Sequence, residues 1–331
     1  MKVRVIMAAI LAAAASAPAP AQTTTCPAAA ADACQKAIDV LNFLTPQLST
    51  ALVGGNPTLG QGGGLGGLGH FSFDVRGTLV NVSVPLLSGV NVSAVRTPSN
   101  FSTENKNYLV PSFDLGVGLW RGYSLGVTHV GGVDAIVTMT YFRNFTTSGQ
   151  TGGASNTGSV TVTGSNAKLG YGLRLGILEE SAVTPGISVA WAQRGLPTMT
   201  FNGTVGASGS TPGGTLALKD FAVNTTVWRV TAAKSFLIFG LSAGYGQDRY
   251  SATSTISGTV SGTFGGTGAE ADNFSMTRTN YFVGAFTNLF IFKLEAELGR
   301  VSGGSVPTYN TFDPAASAGR NYLTVGLRFG L

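Results

Sequence analysis

Large apolar residues stand at alternate positions near the end of the chain: Leu323, Val325, Leu327, Phe329 and Leu331 face Thr324, Gly326, Arg328 and Gly330. Successive strand side chains point to opposite faces, so this stretch is predicted to be a strand with one apolar and one polar surface. In a soluble sheet it would be an aggregation-prone edge, whereas a closed barrel in a membrane needs it to pair with the first strand. The same period recurs upstream. Phe71, Phe73, Val75 and Leu79 alternate with Ser72, Asp74, Arg76 and Thr78, and Leu169, Tyr171, Leu173, Leu175 and Ile177 with Lys168, Gly170, Gly172, Arg174 and Gly176. Phe113 to Leu119, Ile187 to Trp191, Leu237 to Tyr245 and Phe290 to Leu298 repeat it.

Breaks between these segments alternate in length. Short ones are predicted near residues 120–123, 179–185, 233–235 and 287–289, with Leu125, Val127 and His129 as the strand after the first. Long polar Gly/Ser/Thr stretches fall near residues 146–158, 203–214 and 257–273 and read as loops. Short periplasmic turns and long extracellular loops are the habit of outer-membrane barrels. Pro85 and a change of phase at Leu79/Val80 interrupt the pattern after the first strand.

Before the barrel-like part, residues 31–52 carry apolar residues at helical spacing, broken by Pro46, which predicts two short amphipathic helices. Residues 54–69 are too Gly-rich for a regular element. Their match to G-x-G-x-x-G at residues 62–67 lacks the strand before it and the βαβ unit a dinucleotide site needs. The start of the chain has Lys2 and Arg4, an apolar stretch from Val5 to Ala15 and Ala19-Pro20-Ala21, the parts of a secretory signal peptide over residues 1–21.

Composition narrows the class. Charged residues make up 11% of the 331, against roughly 25% in soluble domains, and 47 are Gly. Mean hydropathy is +0.25, too apolar for a disordered chain, yet no run after residue 21 is long enough for a membrane helix. The net charge of +5, of which Lys2 and Arg4 carry two, is scattered and gives no nucleic-acid footprint. Together these predict an all-β fold: a transmembrane antiparallel β-barrel of about 12 strands (range 10–14). It would occupy residues 70–331, preceded by a helical cap or hatch and Gly-rich linker over residues 22–69.

Candidate chemistry is sparse. Arg174, Arg229, Lys293, Glu295 and Glu297 sit on polar strand faces and are predicted to look into the lumen, since a charge facing lipid at mid-membrane costs roughly 2–4 kcal/mol. Cys26 and Cys34 lie close together in an exported chain, which favours a disulfide over a metal site without nearby His or a C-x-x-C redox pair. With His70 and His129 as the chain's two histidines, hydrolytic catalysis is not expected, nor is any cofactor or metal.

The Leu323–Leu331 tail resembles the C-terminal strand of Gram-negative outer-membrane barrels, which usually ends on Phe; here Leu is last, with Phe329 two positions earlier. The layout of helical segment, Gly-rich link and barrel is similar to an uncharacterised set of such proteins. More distantly it resembles the long-chain fatty acid transporters, in which an N-terminal hatch plugs the lumen. The resemblance implies an outer-membrane location, lipid and the barrel-assembly machinery as partners, and passage of a small solute, hydrophobic ones included. No ligand-binding motif of those transporters carries over to a residue here. A structural or adhesive surface barrel, and a barrel-type enzyme, are the alternative classes.

Overall fold

The structure, a computed structural model, describes residues 31–86, 93, 95–151, 154–205, 214–260 and 266–330. It begins with helix α1 (Ala31–Val53) and continues, after irregular residues 54–70, into β1 (Phe71–Pro85), β2 (Asn100–Phe101) and β3 (Thr103–Trp120). Then come β4 (Tyr123–Leu125), β5 (Thr128–Val130), β6 (Gly132–Tyr141), β7 (Phe145–Thr151), β8 (Ala154–Val162) and β9 (Ala167–Leu178). Next are β10 (Gly186–Gly195), β11 (Met199–Val205), β12 (Gly214–Phe236), β13 (Phe239–Val260) and β14 (Gly266–Leu289). Last are β15 (Phe292–Val301), β16 (Thr311–Phe312) and β17 (Arg320–Gly330).

Thirteen of these segments form one antiparallel sheet that closes into a barrel. The closed circuit runs β1-β3-β6-β9-β10-β12-β13-β14-β15-β17 and back to β1, ten strands, within the expected range. Segments β7, β8 and β11 continue β6, β9 and β10 beyond short breaks, and pair with each other and with the first half of β12. Pro197 sits in the break between β10 and β11, where a missing N–H costs no ladder bond. The seam is the pairing of β1 with β17, from Ser72↔Gly330 to Val80↔Tyr322.

Burial alternates along the strands because one face meets the lumen and the other the surroundings. On β13 the outward residues Phe239, Leu241 and Tyr245 are apolar, then Gln247, Arg249, Ser251 and Thr253 take the same face. The inward face switches in the opposite sense, from Ser242 and Asp248 to Tyr250, Ala252 and Ile256. The crossover marks the rim of the bilayer, and outward aromatics gather there: Trp228 against Tyr245 at 5.9 Å and Tyr171 against Trp191 at 6.0 Å. Leu323 and Val325 of β17 lie on the exposed apolar face, with Leu327 and Phe329 partly covered; Phe329 packs on Phe292 at 4.6 Å. Leu331 lies outside the described residues.

Four local expectations need correction. Residues 31–53 form one helix that runs through Pro46, not two. The buried lumen lines it on all sides, and Thr45, Gln47 and Thr50 donate side-chain hydrogen bonds to carbonyls of the turn before each. Strand β1 passes Leu79/Val80 unbroken to Pro85; the change of phase there is the bilayer crossover, with Val80 and Val82 turned inward. Residues 123–130 form a small separate hairpin, β4–β5, and the next strand of the barrel is β6. Much of the polar stretches read as loops is strand: β7, β8, β13 and β14 continue beyond the bilayer crossover with Gly, Ser and Thr.

Two expected outcomes test the bilayer assignment. Val325→Arg, midway along the outward apolar band, should lower unfolding stability in lipid by about 2–4 kcal/mol. Ser251→Arg, outward but above the crossover, should change it by no more than about 0.5 kcal/mol. Denaturant titration of both in vesicles checks this, and equal effects would misplace the membrane boundary.

Candidate functional site

The lumen is filled by the chain's own N-terminal part. Helix α1 enters at the long-loop end, extracellular in outer-membrane barrels. There Asp32 accepts from the Ser93 and Thr97 amides at 2.9 and 3.0 Å, and Asp39 from the Asn310 amide at 2.7 Å. The helix ends in mid-lumen. Residues 54–69 descend from there to the short-turn end, where the Gly118 amide donates to the His70 carbonyl at 2.9 Å.

The lumen has two storeys. Around α1 the wall is apolar: Phe101, Phe142, Leu196, Met199, Phe221 and Ile256 pack with Leu41, Phe43, Leu44 and Leu48 of the helix. Phe312 stacks between Phe43 and Phe101 at 4.3 and 5.0 Å. Below, around residues 54–69, the wall is polar and charged. A β-barrel interior needs partners for every exposed backbone group of a plug, and an irregular segment exposes most of its own.

Three wall arginines meet the end of the helix. Arg229 donates from Nη2 to the Val53 carbonyl at 2.9 Å and from Nη1 to Asp248 at 2.6 Å. Arg76 donates from Nη1 to the Gly54 carbonyl and from Nε to Asp114, both at 2.6 Å. Arg194 approaches the Leu52 carbonyl at 3.5 Å, and its Nε and Nη2 have no hydrogen-bond partner among the described residues. The last turn of α1 carries no basic residue itself, so the wall supplies the positive charge that a helix C-terminus favours.

The lower storey follows the same rule. Arg174 pairs with Asp134 at 2.8 Å and donates to the Thr58 hydroxyl, while Asp134 accepts from the Leu65 amide at 3.1 Å. Glu297 accepts from the Asn56 amide at 3.2 Å and the Tyr322 hydroxyl at 3.1 Å. Lys293 donates to the Gly60 carbonyl at 3.2 Å and lies 4.1 Å above the Phe286 ring. Glu295 accepts from Ser242 at 3.2 Å, and its other oxygen has no partner among the described residues. Glu179, on the turn after β9, accepts from the Gly64 amide at 2.6 Å; burial raises its carboxyl above the usual range.

Arg174, Arg229, Lys293, Glu295 and Glu297 therefore all stand against the plug or the polar wall beside it. Sequence reading missed Arg76, Arg194 and Arg328, which also face the plug: Arg76 and Arg328 donate to the Gly54 and Leu59 carbonyls at 2.6 and 2.9 Å, and Arg194 approaches that of Leu52 at 3.5 Å. Their signal was available for β1 and β17, where the inward parity of Asp74, Arg76 and Arg328 follows from the apolar face. It was weak for β10, where Gln193 and Arg194 are adjacent polar residues. His70 lies exposed at the short-turn mouth and His129 on the β4–β5 hairpin. Cys34 is buried near the top of α1; Cys26 lies outside the described residues, so their pairing stays an expectation.

This fold, its outward apolar band and its filled lumen define a plugged transmembrane antiparallel β-barrel. No family model and no curated protein matches the chain. Similar solved structures include Ail, the attachment invasion locus protein of Yersinia pestis, at 9% identity over 80% of this chain and 99% of that one, TM-score 0.27. The transport unit of the autotransporter AIDA-I from Escherichia coli gives 9%, 89% and 97%, TM-score 0.35. An outer membrane channel from Pseudomonas putida F1 gives 10%, 83% and 99%, TM-score 0.33.

The clamp yields an ordered prediction. Arg229→Met strands Asp248 as a buried unpaired charge and should cost about 3–5 kcal/mol. Arg194→Met removes a charge with no ion-pair partner and should cost no more than about 1–2 kcal/mol, the scale of a charge at a helix end. Denaturant unfolding of the refolded barrel gives both values, and the reverse order would refute the assigned roles.

Proposed function

We propose that this chain is an outer-membrane channel for small amphipathic or hydrophobic compounds, gated by its own residues 31–69. The observation that supports it best is the uneven hold on the plug. Buried polar atoms lack partners among the described residues in the lower storey, at both Asp74 oxygens and Glu295 Oε2, and at the end of α1, at Nε and Nη2 of Arg194. Unpaired buried polar groups are expensive, so a shift that brings water or solute to them is favoured more than one in a fully satisfied core. The apolar ring of the upper storey, uncovered by such a shift, would meet a hydrophobic solute first. Export through residues 1–21, insertion by the barrel-assembly machinery and a Cys26–Cys34 staple on the plug belong to the same reading.

The second reading is a surface barrel without transport. It is favoured by the burial of nearly all of α1 and by strand extensions that raise the wall beyond the membrane. Deletion of residues 22–69 separates the two. If the plug gates, planar-bilayer conductance and sensitivity to bulky antibiotics should both rise, with the barrel still migrating faster on gels unheated than heated. An assembled deletion variant with unchanged conductance and sensitivity would leave the plug as a structural core.

A further inference from the structure

Two hairpin tips at the short-turn end are made of large apolar residues. The β12–β13 turn is Leu237 and Ile238, and the β14–β15 turn is Phe290 and Ile291; Leu237 is 97% exposed and Phe290 fully exposed. Leu237 and Phe290 have φ of 56° and 54°, a left-handed region that bulky residues rarely occupy. The two tips are tied together: the Ile238 carbonyl accepts from the Asn288 amide at 2.7 Å and from the Thr287 hydroxyl at 2.9 Å. They continue the outward band of Phe236, Phe239 and Phe292 without a polar break. Elsewhere on this rim the turns carry Arg121, Glu179 and Glu180. The apolar tips therefore fit immersion in the lipid leaflet that the band already faces.

Immediately inside the β14–β15 tip lies a cavity of about 220 Å³, lined by Gln61, Leu65, Phe290, Phe292, Lys293 and Arg328 among others. Lys293 and Arg328 are register partners on β15 and β17. Each gives one hydrogen bond to a plug carbonyl, Gly60 at 3.2 Å and Leu59 at 2.9 Å, and neither forms an ion pair among the described residues. The nearest acids in the pattern are Asp74, opposite Arg328, and Glu295, one inward position beyond Lys293; they offset the two cations in part. Remaining donors on an ammonium and a guanidinium suit phosphate oxygens. The volume holds a phosphate head group with a few waters, not acyl chains.

We propose that this rim pocket binds the head group of an anionic phospholipid from the periplasmic leaflet. Lys293 and Arg328 hold the phosphate, and the acyl chains leave over Phe290, Ile291 and Phe292.

The test is lipid titration of the full-length protein in uncharged micelles, read by native mass spectrometry, with phosphatidylglycerol, phosphatidylcholine or inorganic phosphate as the probe. Phosphatidylglycerol should bind at least about tenfold tighter than phosphatidylcholine, and Lys293→Gln with Arg328→Gln should remove that preference. Lys293→Arg should keep it. Phe290→Ser, at a fully exposed position, should weaken binding of both lipids with the heat-dependent gel shift intact; it serves as the deciding variant should the double substitution fail to assemble. Equal binding of the two lipids overturns the proposal, as does a charge preference that survives the double substitution. Inorganic phosphate competing as well as phosphatidylglycerol overturns it in favour of a free-anion site, and unchanged binding by Phe290→Ser removes the leaflet from it.

Discussion

The end of helix α1 sets the constraint that the rest of this barrel answers. Its final carbonyls point into the middle of a closed lumen, where no bulk water is at hand to satisfy them. The helix has no basic residue in its last turn, so the wall must provide donors. Arg76, Arg194 and Arg229 do so from β1, β10 and β12. Arginine suits the task because its fork can serve a carbonyl and a carboxylate at once and keeps its charge when buried. Each bridging arginine then needs an acid, and Asp114 on β3 and Asp248 on β13 answer that demand. One helix end thus fixes the inward residues of five strands.

The lumen's two storeys follow from the same geometry. Above the arginines the filling element is a helix, whose backbone is satisfied internally, so the wall can be apolar and pack against side chains. Below them the filler is irregular and Gly-rich, so the wall must offer hydrogen bonds. Glycine is required where the filler touches the wall directly: a Cβ on Gly62 would lie 2.1 Å from the Gly186 carbonyl oxygen, and one on Gly60 would lie against the Glu295 carboxylate. The outer face inverts at nearly the same height, because lipid surrounds the lower part and water the upper.

Strand alternation was legible in the sequence wherever the outward face meets lipid, as in β9, β15 and β17, because lipid demands apolar residues at every second position. It was illegible above the bilayer, where Gly, Ser and Thr on β13 and β14 mimic loop composition while still forming a ladder. The short turns at residues 120–123 and 179–185 fall where they were expected. The β12–β13 and β14–β15 turns were read two or three residues early, since Leu237, Ile238, Phe290 and Ile291 look like strand residues and no Gly or Asn marks the reversal. The single helix was hidden by Pro46, whose cost in an isolated helix is offset here by complete burial. Of the inward charges, parity revealed those on β9, β12 and β15. What Arg229 and Lys293 bind could not be read, because their partners are the Val53 and Gly60 carbonyls, and backbone carbonyls have no sequence signature.

Closure and plugging depend on each other at the seam. Thr78 of β1 and Thr324 of β17 share a 3.0 Å hydrogen bond across it, and Thr78 also donates to the Gly54 carbonyl. Tyr322 reaches Glu297 and Asn280 from the same face, and Leu59 of the plug packs against Gly326. Strand side chains alternate, so a one-residue slip between β1 and β17 would turn a set of these groups toward lipid. Outward Leu323, Val325 and Leu327 would turn inward in its place. Lipid alone would oppose that slip on the outer face. The inner face opposes it as well: Thr324 and Tyr322 have their partners on the wall, and Thr78 and Arg328 bind the Gly54 and Leu59 carbonyls of the plug. The seam that closes the barrel is therefore specified from both sides, and part of the polar specification comes from Gly54 and Leu59, which precede the barrel in the chain.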